Sequence, residues 1–103
     1  MRLTMTSAAV ALFACSAPAA SRLVAPAGAP PDITAACDLA AHRCTQCHPI
    51  DRVLLARVES PQHWAYYVAR MRRQPHSGIS ADDERVILRC LVARSFGLSA
   101  VAQ

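Results

Sequence analysis

The sequence predicts a small all-α domain. Apolar side chains recur at spacings of three and four behind residues that start helices, and no stretch sustains the alternation of a half-buried strand. The length of 103 residues allows one compact domain at most, and no internal repeat is present. Eleven arginines and no lysine stand against seven acids, a formal charge of +4. The cations are spread along the chain, which is not the footprint of a nucleic-acid binder.

Residues 1–14 carry one charge, Arg2, ahead of a small and apolar run from Leu3 to Ala14, the pattern of an export signal that is cleaved. A membrane-spanning helix needs about 20 apolar residues. This run is shorter and is interrupted by Thr4, Thr6 and Ser7. Leu12-Phe13-Ala14-Cys15 resembles a bacterial lipoprotein box, which implies lipid on Cys15 and contact with a membrane surface, although Phe13 stands where a small residue is usual. The competing reading is an ordinary cut after Ala17-Pro18-Ala19. Residues 15–31, rich in Ala and Pro and without a periodic apolar face, read as an extended linker of up to ~3.1 Å per residue. The expected location is the periplasm or the outer surface of the cytoplasmic or outer membrane.

Residues 32–103 are expected to fold. The first helix starts from Asp32 or Thr34 as cap and runs through Ala35, Ala36, Leu39 and Ala40 into Cys44. The second opens at Ser60-Pro61, a cap followed by proline at the first helical position, and aligns Trp64, Tyr67, Val68 and Met71 in one stripe. The third opens at Ser80 with Asp83 three residues on, a capping box, and closes at Gly97 with Val86, Ile87, Cys90 and Leu91 facing inward. A core of this size supplies only ~3–5 kcal/mol, so a covalent staple or a bound group is expected.

Cys44-Thr45-Gln46-Cys47-His48 is a C-x-x-C-H run, the attachment sequence for c-type haem. Two thiols one helical turn apart reach the two vinyl groups of one porphyrin edge, and the adjacent imidazole lies under the iron. Covalent attachment keeps the group in a domain too small to enclose it. A thioredoxin-type pair needs a strand before it, and none is expected here. A zinc site needs four ligands, for which Cys37 or His42 would join Cys44, Cys47 and His48.

With these residues in place, the stretch from about Ile33 to Leu98 resembles a small monohaem class I cytochrome c. The supporting passages are residues 44–48, Trp-x(6)-Met from Trp64 to Met71, and Ser-x-x-Asp from Ser80 to Asp83. The resemblance implies that the N- and C-terminal helices cross and that one haem c is bound through Cys44 and Cys47. It implies His48 and Met71 as the two iron ligands. Met71 is the only methionine outside the signal; His76 and His63 compete for its role, and His42 reads as a solvated helix residue. Cys90 stands where the family usually has an aromatic residue. Cys37 and Cys90 remain after haem and lipid are assigned, on helices that cross in this family. They are either a disulfide closing a loop of about fifty residues or two separately buried small side chains.

Arg57, together with the Trp64 indole, is a candidate for a haem propionate. Arg70, Arg72 and Arg73 beside Met71 suit an acidic partner. The implied function is transfer of one electron between redox proteins such as a dehydrogenase or an oxidase, not catalysis: no nucleophile, acid/base pair or cofactor fold is evident. The alternatives are a haem sensor or peroxidase-like site with a labile sixth ligand, and a non-haem Cys/His metal module.

Overall fold

The computed structural model describes residues 22–102, and the expected export signal and the lipid site at Cys15 lie outside the described residues. Four α-helices follow one another, α1 (Pro31–Cys44), α2 (Asp51–Leu54), α3 (Pro61–Arg72) and α4 (Ala81–Phe96), and a 3-10 turn spans Leu98–Ala100. Among the described residues there is no strand, and no helix is long and apolar enough to cross a membrane.

The start of α1 differs from expectation, because neither Asp32 nor Thr34 caps it. Pro30 is the N-cap without a side-chain hydrogen bond, and Pro31 takes the first helical position. Proline has its φ already set for a helix and has no N–H left to satisfy there. Asp32 instead sits in the first turn, where its carboxylate accepts from Arg89 of α4 at 2.6 Å. The buried face of α1 is Ile33, Ala36, Cys37 and Ala40, an i, i+3, i+4, i+7 stripe. Two alanines in that stripe let α4 come close, and the Cα atoms of Cys37 and Cys90 are 5.0 Å apart. The two cysteines form a disulfide, 1% and 0% exposed.

The expected starts of α3 and α4 are both present. Ser60 Oγ accepts from the His63 N–H at 3.2 Å. Ser80 Oγ accepts from the Asp83 N–H at 2.9 Å while Asp83 Oδ2 accepts from the Ser80 N–H at 3.3 Å, a complete capping box. The helix stops at Gly97, whose φ of +93° is open to glycine at no cost. Ile87, Cys90 and Leu91 are buried as expected, but Val86 is 36% exposed. It lies one residue, about 100° of helix rotation, from Ile87 and so falls at the edge of the packed arc.

Two further departures concern segments without periodicity. The linker reading reached Pro31, yet Leu23 is 4% exposed and belongs to the core cluster, and the Arg94 guanidinium donates to the Val24 carbonyl. One large apolar side chain in an Ala/Pro stretch is enough to dock an extended strap. The four-residue α2 was not expected either, being shorter than the window in which helical periodicity can be read. Both α1 and α3 pack on α4, which is the spine of the domain.

Candidate functional site

The site is built where α1 ends. Cys44 is its last residue, and the chain then tightens: the Thr45 hydroxyl donates to Ala41 O at 2.7 Å and the Gln46 N–H to Arg43 O at 3.4 Å. That turn carries Cys47 and His48. Cys44 and Cys47 are free thiols, the first half-buried and the second exposed. Burial pushes the Cys44 thiol above its ordinary value, so it stays protonated at neutral pH. A thioredoxin-type cysteine needs the opposite shift to attack as thiolate, which argues against that reading.

The half-buried His48 places Nδ1 3.1 Å from the carbonyl oxygen of Pro49. A carbonyl only accepts, so Nδ1 must carry the proton and donate it. The lone pair is left on Nε2, the arrangement a metal-bound imidazole uses. Neither Pro49 nor Arg43 was singled out from the sequence. The signal was the proline directly after the histidine, whose carbonyl is the acceptor here.

Arg43 joins this end of α1 to the rest of the molecule. Its Nε lies 3.0 Å from Asp83 Oδ2, an ion-pair distance out of line for a hydrogen bond. A Cβ on Gly78 would lie 3.5 Å from Arg43 Nη1 and 3.6 Å from Gln46 Oε1, so the segment between α3 and α4 closes against the cysteine turn. Gly78 has φ +67°, and His76 two residues earlier has φ +60°.

The other expected residues separate clearly. Met71, in the last turn of α3, is 38% exposed and not on the fully buried stripe. It is therefore no core filler. The stripe is held by Trp64 and Val68, with Tyr67 half-buried. The His63 ring stacks on Tyr67 with centroids 4.6 Å apart, and its Nδ1 accepts from the Glu59 N–H at 3.5 Å. His42 and His76 are exposed. The Trp64 indole N–H donates to Ser95 Oγ at 2.8 Å, so it is not free for a propionate as expected, and Arg57 is exposed.

The donor set decides between haem and a bare metal ion. Cys37 is committed to the disulfide, which removes one candidate fourth zinc ligand. Among the described residues no three or more His, Cys, Asp or Glu side chains converge to hold a metal ion. Two free thiols one turn apart, an imidazole with Nε2 open and an apolar stretch directly downstream fit a porphyrin instead. In that stretch Ile50, Val53, Leu54, Ala56 and Val58 are only half covered and Leu55 is exposed. Between that stretch and the core lies a cavity of about 140 Å³, lined by Val53, Leu54, Ala56, Trp64 and Leu91 among others and below the ~300 Å³ of ordinary cofactor sites.

A family model described as photosystem P840 reaction-centre cytochrome c-551 matches residues 4–95. Neither the curated proteins nor the solved structures contain a match to the chain.

Proposed function

The chain belongs to the cytochrome c-551 family, electron carriers with covalently bound haem c, and on that premise we propose the residues that hold the haem and set its behaviour. Cys44 and Cys47 would hold a single haem through two thioethers, with His48 Nε2 and Met71 as the ligands to its iron. When bound, the haem supplies an iron that alternates between ferric and ferrous and so carries one electron. The protein's part is to hold and tune. The Pro49 carbonyl orients the imidazole, and the thioether of Met71 favours the ferrous form and raises the potential relative to a second imidazole.

The observation that carries the reading is the His48 Nδ1 contact beside two free thiols. His63 is tied to Tyr67 and Glu59. Met71 is 38% exposed and stands outside the buried core. His76 is the rival, and the substitutions below separate the two. The protein works outside the cytoplasm, after export on residues 1–14, and is anchored through lipid on Cys15. Its partners are redox proteins: the family's description names a reaction centre, and a dehydrogenase or an oxidase is compatible with the same chemistry.

The test is made on protein matured in a periplasm competent for haem attachment. Haem should stay with the polypeptide through acid-acetone extraction and be lost from Cys44→Ala/Cys47→Ala. Met71→Ala should turn a low-spin haem that resists carbon monoxide into one that binds it. Loss of the low-spin form in His76→Ala alone moves the ligand to His76, and carbon monoxide binding by the wild type supports the sensor or peroxidase-like alternative.

A further inference from the structure

We propose that the exposed stripe formed by Tyr66 and Arg70 of α3 and by Arg73, which caps its C-terminal end, is the surface on which an acidic redox protein docks. The inference rests on the electron-carrier reading and adds the place of contact. Spacings of four and three put these side chains on one side of the helix, and Tyr66 is about 200° of rotation from the buried Trp64.

The charge on this stripe is uncompensated. The α3 sequence contains no acid. The three carboxylates of α4 are already engaged: Asp82 by Arg85, Asp83 by Arg43, and Glu84 by Arg72 at 2.5 Å. Arg72, expected from the sequence to share the partner, is thus withdrawn. Among the described residues Arg70 and Arg73 have no carboxylate within ion-pair distance. A complementary acidic face would supply what the molecule itself does not.

Tyr66 gives the stripe an anchor. It is 58% exposed, yet its ring lies 5.8 Å from the ring of Tyr67, which meets the buried Trp64 edge-on at 6.4 Å. A surface aromatic backed by packed rings loses little freedom on binding, and Tyr with Arg is the composition of interface hot spots. Two free cations and one tyrosine fall short of the ~4–8 basic residues that mark recognition of an anionic bilayer, which favours a protein partner.

Stopped-flow oxidation of the ferrous full-length holoprotein tests this, with an acidic blue-copper protein as acceptor and a small cobalt complex as control oxidant. In each encounter one electron passes from haem iron to the acceptor's metal. The wild-type rate with the copper protein should fall as salt rises. Arg70→Gln/Arg73→Gln should slow it about tenfold at low salt. Tyr66→Ala should slow it at every salt concentration, and Arg85→Gln, which alters charge on α4, should leave it near wild type. The cobalt rate should stay constant throughout. Equal rates for the double variant and the wild type, or an equal loss in Arg85→Gln, would overturn the docking site. So would dependence of Arg70→Gln/Arg73→Gln on phosphatidylglycerol vesicles alone. A protein that even the cobalt complex cannot oxidise would instead refute the electron-carrier reading.

Discussion

Replacing Cys37 and Cys90 together by alanine should destabilise the holoprotein by about 4 kcal/mol. The bond joins positions 53 apart in sequence. The chain-entropy relation for a loop of that size gives ~4 kcal/mol at room temperature. The proposed thioethers at Cys44 and Cys47 restrain only a three-residue interval and leave that long loop free. Alanine avoids burying a hydroxyl at two positions 1% and 0% exposed, though loss of the packed sulfurs adds to the cost. For a domain of this size 1 kcal/mol moves the midpoint by ~4–8 °C, so a fall of at least ~16 °C is expected. Thermal unfolding followed by circular dichroism, on wild type with and without reductant and on the double variant, measures it. Reduced wild type and variant should melt together, well below the oxidised protein. A variant within ~5 °C of oxidised wild type would refute the reasoning. So would alkylation of Cys37 and Cys90 in unfolded, unreduced protein.

Ser80→Ala should cost ~1 kcal/mol through loss of the α4 cap, and Asp83→Ala more, because Arg43 then loses its carboxylate; denaturant midpoints rank the two. Trp64→Phe should lower stability by ~1–2 kcal/mol while leaving the haem potential unchanged, since the indole N–H serves Ser95; a shifted potential would restore the propionate role. The Arg89 guanidinium beside Asp32 holds its carboxyl below the ordinary 3.8. A lowered carboxylate contributes stability that is present above the unfolded value and lost as pH falls through the folded one. Asp32→Asn should therefore flatten the stability profile below about pH 4, as acid titration of unfolding will show.

The helices that could be read from the chain were those with local chemistry at their ends. Ser60-Pro61 and Ser80 with Asp83 announce starts through groups within three residues, and the C-x-x-C-H spacing points to haem c, the cofactor of the family whose model matches the chain. What escaped was long-range. Leu23 has no periodic neighbours, and only the assembled core gives it a place to bury. The Trp64 indole looked free until Ser95, 31 positions on, was brought beneath it. Pairing of Arg72 with Glu84 and of Arg43 with Asp83 likewise depends on how α4 lies against the other two helices, which no local pattern encodes. The crossing of α1 and α4 was expected by resemblance, and the disulfide is its direct product.

The acceptor for His48 Nδ1 is a main-chain atom. Every amino acid has that carbonyl, so no single substitution at position 49 deletes it, whereas a carboxylate or amide in the same role would disappear with one codon change. Proline adds a fixed φ and leaves no N–H to offer a competing bond. The imidazole's tautomer is in this way insulated from mutation at its own hydrogen-bond partner. Drift in the surrounding sequence can alter the angle and distance of that contact without a step at which Nε2 becomes the protonated nitrogen.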